Sequence, residues 1–335
     1  MKLKTQSAAL FLGATMLFWG ATATATLRTY QNAVTNEASL ISYYTFDKTN
    51  ANDSFGQNNG TLQGTARFSQ GVGGGQGLSL DGNGWVELGQ VPAFDFTSGI
   101  GTVEAWVRVD WPLNNGLGYS PCMFADRNGG PVDWSVHMDS VQDGYGVWNG
   151  ASFSAQPITP SPQEVGITGT NWHYVAVVWD MTSSNTPTTT IFWDGIAMGQ
   201  TDQAVGLSSN PTQLGSSSTT NVTEGWVGML DEVAFYSSAL SSNSILAHYQ
   251  AFLEDLPPVI TVQPVGGTFL PGVPLDLTVQ ALGLNLSYQW YFGSAAIANA
   301  TNSLLSIPSL EATNAGTYHA VVSAPPRSRT SAAAP

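Results

Sequence analysis

From residue 40 onward, short apolar stretches alternate with polar, glycine-rich breaks. Residues 102–109 show the pattern most cleanly. Val103, Ala105, Val107 and Val109 fall on one face and Glu104, Trp106 and Arg108 on the other, the two-residue period of a strand. Residues 172–180 repeat it, and 40–46, 77–80, 85–88 and 191–193 read as further strands. Asp81-Gly82-Asn83-Gly84, between two of these, is a strong hairpin signal, and Asp194-Gly195 marks another tight turn. No segment before Ser241 carries sustained helical periodicity. After it, Ile245, Leu246 and Tyr249 recur at helical spacing behind a serine-rich corner whose hydroxyls suit a helix start. The pattern predicts an all-β antiparallel sandwich closed by one short helix.

Leu256-Pro257-Pro258 interrupts the series, since paired prolines remove donors and restrict the backbone before them. Strands are expected again over 275–279, 286–292, 304–307 and 317–323. A length of 335 residues also suggests two domains. Hydrophobic residues make up 42% of the chain, with 11 Trp, 11 Tyr and 14 Phe, which is ample for two cores.

Charge and the N-terminus restrict the function classes. A net charge of −14 repels phosphate backbones, so nucleic acid is not an expected partner. Residues 1–25 read as a secretory signal: Lys2 and Lys4, an apolar run over 8–19, then Ala23-Thr24-Ala25 as the small-residue cleavage site. That run is too short to span a bilayer. The mature chain is expected to be secreted, or held at the cell surface or in the periplasm, with no membrane span. Cys122 is the single cysteine, so no intramolecular disulfide can form. An exported chain of this kind relies on its cores, on bound metal, or on both.

The segment 228–249, GMLDEVAFYSSALSSNSILAHY, resembles the closing strand and helix of the laminin G-like branch of the concanavalin A-like jelly rolls. Members of that family show Gly-x-Leu-Asp-Glu-Val, then Ala-Leu-Ser and an Ile-x-x-x-Tyr ending. Four earlier stretches match the family in order: Tyr44-Thr45-Phe46-Asp47 with Asp53 and Asn59-Gly60-Thr61-Leu62, then 77–82, 102–107 and 172–179. The resemblance covers 40–251 and implies a jelly roll, on a fold that hosts lectins, hydrolases and adhesive modules alike. Farther on, Tyr288-Gln289-Trp290-Tyr291 and Ala315-Gly316-Thr317-Tyr318 resemble the core-tryptophan strand and tyrosine corner of a bacterial immunoglobulin-like domain. Val279 and Ala320 stand where that family often places cysteines. The expected order is a signal peptide (1–25), a lead-in (26–38), a jelly roll (39–253), a linker (254–258) and an immunoglobulin-like sandwich (259–335), with either an abbreviated final strand or a truncation from a longer array.

Three kinds of site follow. Calcium takes six to eight oxygens from flexible loops, and in the resembling family an Asp-rich loop shares a cation with the Asp of the closing strand. This implies Asp53 and Asp231 as metal ligands, with a carbonyl near Asn59 contributing; the alternative is that Asp231 accepts backbone N–H bonds while Asp53 starts a turn. For a carbohydrate or extracellular protein ligand, the candidates are Trp111, Tyr119 and Trp148, in an aromatic stretch whose Trp134 and Tyr145 also read as core strand positions. A glycosidase needs two converging carboxyls, which relatives on this fold supply as Glu-x-Asp-x-x-Glu. That run is missing here, and Asp231 and Glu232, being adjacent, are expected to point to opposite faces. His137, His173, His248 and His319 are isolated, and the glycines of 71–77 lack the helix and lysine of a phosphate-binding loop. The expected protein is a non-enzymatic binding or adhesion protein, calcium-dependent at its loops. The alternatives are an accessory region of a larger secreted glycoside hydrolase and a structural surface module.

Overall fold

The computed structural model describes residues 27–110, 119–127, 132–139, 144–148, 153–157, 172–182, 188–201, 210–218, 224–325 and 327–335. In chain order the first unit contains α1 (Arg28–Thr35), β1 (Leu40–Tyr44), β2 (Thr61–Gly64), β3 (Arg67–Gln70), β4 (Gln76–Asp81), β5 (Gly84–Gln90), β6 (Ile100–Val109) and β7 (Cys122–Arg127). It continues with β8 (Val132–Asp139), β9 (Gly144–Trp148), β10 (Phe153–Pro157), β11 (Trp172–Asp180), β12 (Thr188–Trp193), β13 (Ile196–Thr201), β14 (Pro211–Leu214), β15 (Val227–Tyr236) and α2 (Ser242–Asp255).

These strands form two antiparallel sheets. One runs β13-β12-β11-β6-β15-β4-β3, with β1 also pairing β15; the other runs β10-β9-β8-β7-β14-β5-β2. Apolar residues of both fill the space between them, including Val103, Ala105, Val107 and Val109 of β6 and Trp134 and Val136 of β8. The opposite face of β6 also turns inward, because α1 and α2 cover it. Trp106, Tyr174, Phe192 and Tyr236 pack there against Tyr30, Val34, Ile245 and Phe252. The result is a jelly-roll sandwich with a third, helical layer.

Two expectations change at this level. Asp81-Gly82-Asn83-Gly84 does not close a hairpin: β4 pairs β15 and β3 in one sheet, while β5 pairs β14 and β2 in the other. Leu78 and Leu80 before the turn and Val86 and Leu88 after it fill the same inter-sheet core. The chain must therefore cross between layers at this turn. The second change is α1, a helix in the lead-in. Its two buried residues, Tyr30 and Val34, are one turn apart, too few to register as periodicity. A helix this short is held by docking rather than by its own propensity. Thr29 Oγ1 and Tyr30 N donate to the two carboxylate oxygens of Asp255 at the end of α2, at 2.8 and 2.9 Å. The Tyr30 and Phe252 rings meet edge to face at 6.0 Å. α2 itself starts as expected, with Ser241 Oγ accepting from Ser244 N at 3.1 Å.

Past the diproline lie β16 (Val259–Val262), β17 (Leu275–Thr278), β18 (Gln280–Leu282), β19 (Ser287–Phe292), β20 (Ala295–Ala296), β21 (Leu304–Ile307), β22 (Tyr318–Ala324) and β23 (Arg327–Thr330). They pair as β16-β18, β17-β21 and β20-β19-β22-β23. Trp290 is fully buried among Leu277, Val279, Ala320 and Val322, and its indole N–H donates to Asn302 O at 2.9 Å. The Tyr318 hydroxyl reaches back to Asn314 O at 2.9 Å.

Candidate functional site

The closing strand β15 sets the polar geometry of the first unit. Leu230, Val233 and Phe235 face the inter-sheet core, while Ala234 and Tyr236 face the helices. Strict alternation would put one residue between Leu230 and Val233, but two stand there. The register against β6 shifts between Asp231 and Ala234, and Glu232 adopts φ +51°. This β-bulge places Glu232 on the helix side with Asp231, correcting the expectation of opposite faces. It also explains the uneven apolar pattern of the segment.

Glu232 is sealed beneath α1. It accepts hydrogen bonds from the Tyr43 hydroxyl and from Gln31 Nε2, and burial pushes its pKa up to about 8. Glu104, on β6, is wholly buried and accepts from the hydroxyls of Tyr174 and Tyr236, the latter at 2.8 Å. His248 of α2 is not isolated: its Nδ1 lies 3.0 Å from Glu104 Oε2, and its Nε2 lies 3.6 Å from Glu37. Burial alone would lower the His248 pKa, but the carboxylates of Glu104 and Glu37 outweigh it and raise it. These acids are committed to internal bonds under a helical cover, an arrangement that holds the layers together.

Asp231 serves the glycine loop. Its Oδ2 accepts from Val72 N at 2.9 Å and its Oδ1 from Glu232 N at 2.8 Å. A Cβ on Gly71 would stand 2.2 Å from Asp231 Oδ2, so only glycine lets the loop approach so closely. Asp47 grips the other side of the same loop, its Oδ1 accepting from Gln76 N at 3.1 Å. Burial, and then the charge of Asp47, raise the Asp231 pKa well above the carboxylate range. Asp47 was legible only as the last residue of the opening Tyr-Thr-Phe-Asp motif and was not among the expected ligands.

Asp53 has a different neighbourhood. Its Oδ1 accepts from Tyr43 N, Phe55 N and Gly56 N at 3.0, 3.0 and 2.8 Å, and its Oδ2 from Asn58 N at 3.1 Å. Asn59 Oδ1 accepts from Asp53 N at 3.0 Å. The structure thus brings Asp53 and Asn59 together as staples of one loop, and Asp53 shares no hydrogen-bond partner with Asp231. Among the described residues, no group of three or more His, Cys, Asp or Glu side chains is placed to hold a metal.

Of the aromatic candidates, Trp111 lies outside the described residues, while Tyr119 and Trp148 are half-buried. Trp134 and Tyr145 are core residues. Ser135 of β8 pairs with Trp148 of β9 on the outer face of the second sheet. The Arg127 guanidinium carbon lies 4.2 Å from the centre of the Trp148 ring, and Arg127 Nη1 is 3.0 Å from Glu224 Oε2. The His137 ring meets Trp148 edge-on at 6.2 Å, and its Nδ1 is 2.8 Å from the carbonyl of Ser120, next to Tyr119. Arg127 and Glu224 have no local sequence signal; only the sheet register brings them to the tryptophan. Elsewhere, His173 is paired locally with Asp194 at 2.8 Å, and Cys122 is buried with a free thiol.

Residues 80–246 match the family described as the concanavalin A-like lectin/glucanases superfamily. No curated protein matches the chain by sequence. Among solved structures, the binding domain of Paraclostridial Mosquitocidal Protein 1 aligns with TM-score 0.52 and 12% identity, over 85% of this chain and 75% of its own. The binding domain of Botulinum Neurotoxin DC, solved in complex with SialylT, aligns with TM-score 0.50 and 11% identity, over 88% and 73%. Domain 4 of AbnA, a GH43 extracellular arabinanase from Geobacillus stearothermophilus solved with arabinotriose, aligns with TM-score 0.46 and 19% identity, over 64% and 100%. At these identities the likeness to the two toxin binding domains is one of fold.

Proposed function

We propose that this concanavalin A-like jelly roll is the recognition unit of an exported, non-enzymatic protein that binds carbohydrate on the outer face of its second sheet. The Arg127–Trp148 stack, 4.2 Å from guanidinium carbon to ring centre and partly exposed, with 15% of the Arg127 side chain reaching solvent, carries the reading. An indole face takes the C–H side of a sugar ring, and a guanidinium held by Glu224 offers N–H donors to hydroxyls. Turnover is disfavoured because Glu104 and Glu232 are sealed under the helices and already bonded there. Glycan-array binding by the full chain tests this: Trp148→Ala should lower affinity at least about tenfold with an unchanged fold, and undiminished binding would overturn the reading. Release of product from a polysaccharide panel would overturn the non-enzymatic part.

Export rests on the sequence of residues 1–25; among the described residues, no helix is long and apolar enough to cross a membrane. Calcium fits Asp231 and Asp47 better than Asp53, whose carboxylate already accepts four backbone N–H bonds. The Asp231 carboxylate is buried within the influence of Asp47, and a cation bound there would relieve the repulsion between the two. With two side chains available, calcium would draw most of its six to eight oxygens from backbone and water. The unit beyond the diproline, with its Trp290 core and Tyr318–Asn314 bond, is read as an immunoglobulin-like spacer that presents the jelly roll.

A further inference from the structure

Away from the Trp148 face, the loop over residues 45–59 encloses a cleft of about 540 Å³. That volume falls within the roughly 300–1,000 Å³ of small-molecule sites. Thr45, Lys48, Asn50, Asn52, Ser54 and Gln57 are among the residues lining it. The loop carries no secondary structure, yet it is tightly fixed. Besides the four N–H bonds to Asp53, Ser54 N donates to Tyr43 O at 2.7 Å and Gly60 N to Ala51 O at 2.8 Å. The Tyr44 hydroxyl donates to Asn58 O at 2.5 Å and Asn58 Nδ2 to Ser42 Oγ at 2.8 Å. A Cβ on Gly56 would lie 2.6 Å from both Asp53 Oδ2 and Ile41 O, so the inner wall tolerates nothing larger than glycine.

The groups left over face the cleft. The side-chain amides of Asn52 and Gln57 and the ammonium of Lys48 make no hydrogen bond to any described residue. The bonded backbone frame spares a ligand the cost of ordering the loop, leaving only the exposed amide side chains to be fixed on binding.

We propose that this cleft is a second binding site and that its ligand is a neutral, hydroxyl-rich saccharide. Each primary amide presents a donor and an acceptor in one plane, which suits a pair of neighbouring sugar hydroxyls. A cation is a poor occupant, because Asp53 has spent its oxygens on backbone N–H groups and Lys48 adds positive charge. A polyanion is disfavoured by the net charge of −14. The site stands on its own geometry and does not depend on the Trp148 reading.

Calorimetric titration of the full chain with short neutral oligosaccharides of glucose, xylose, arabinose, mannose and galactose, alongside oligogalacturonates, tests the assignment. At least one neutral oligosaccharide should bind, and Asn52→Ala with Gln57→Ala should weaken it at least about tenfold with the melting temperature unchanged. Binding lost in Trp148→Ala but intact in the Asn52/Gln57 double variant overturns the cleft and leaves the sheet-face reading standing; the reverse pattern upholds the cleft alone. Loss in both upholds two sites on one extended glycan. No binding of any neutral probe, or binding of oligogalacturonates only, overturns the proposal.

Discussion

Glu232 stands beside Asp231 on the same side of the first sheet, because one extra residue in β15 turns what would be an inward position outward. The two carboxylates nevertheless serve different neighbours: Asp231 fixes the glycine loop through Val72, and Glu232 fixes α1 through Gln31 and β1 through Tyr43. The bulge in β15 thus adds α1 and β1 to the glycine loop that Asp231 already holds.

The buried acids make stability fall as pH rises. Glu232 has its pKa raised from 4.5 to about 8 by burial, so between those values the unfolded chain binds fewer protons than the folded one, and stability drops across that window. His248, raised by Glu104 and Glu37, acts in the same direction: its contribution is complete below its ordinary value and disappears as pH climbs through the raised one. Thermal melting followed from pH 5 to 9 should show a steady decline. Glu232→Gln should flatten it, by up to an order of 4 kcal/mol at the alkaline end. A wild-type profile that rises with pH would contradict this.

Two tyrosines in the same layer should respond oppositely to loss of a hydroxyl. Tyr43→Phe removes a donor from Glu232 and should cost about 1–3 kcal/mol, since a buried acceptor is left unpaired. The buried Tyr30 hydroxyl makes no hydrogen bond among the described residues, so Tyr30→Phe should be neutral or stabilising. Urea denaturation of the two variants distinguishes them.

Millimolar calcium should raise the melting temperature of the full chain by several degrees, and chelator should reverse the rise. Asp231→Asn and Asp47→Asn should each abolish the response. Asp53→Asn should lower the baseline melting temperature, by weakening its loop bonds, and leave the calcium shift in place. An Asp53-dependent shift that survives Asp231→Asn would return the metal to the originally expected loop.

Gly71 and Gly89 offer a steric contrast. Gly71→Ala would drive a methyl to 2.2 Å from Asp231 Oδ2 and 2.7 Å from Gly77 N, an overpacking that should cost about 1–3 kcal/mol or more. Gly89, with φ +74°, has nothing within 4 Å of an added Cβ. Gly89→Ala should therefore cost only the left-handed backbone penalty, about 1–2 kcal/mol. Equal losses in denaturant unfolding would show that space around Gly71 is not the constraint.

Much of the fold was legible where a single strand carried its own pattern. The alternation of 102–109 reports both faces of β6 correctly, and Ser241 announces α2 through its cap. What escaped depends on partners distant in the chain. The Asp81–Gly84 turn has the local chemistry of a hairpin, but only the shared core of Leu78, Leu80, Val86 and Leu88 sends the chain to the other sheet. The bulge at Glu232 is visible in sequence only as a break in rhythm. Of the candidate site, Tyr119 and Trp148 could be singled out as aromatics on a loop-rich stretch, but Arg127 and Glu224 arrive through register and tertiary contact. Asp47 gains its role from the Gln76 amide, 29 residues away.

The bonds from Thr29 and Tyr30 to Asp255 span about 225 residues of sequence and join the first element of the jelly roll to its last. Mechanically this makes the domain a ring with a buckle. A pull applied at the two ends of the roll is borne by the buckle between α1 and α2 before any strand is loaded. By the same token, the roll could be cut at a surface turn and rejoined across its original ends, the arrangement that tolerates circular permutation.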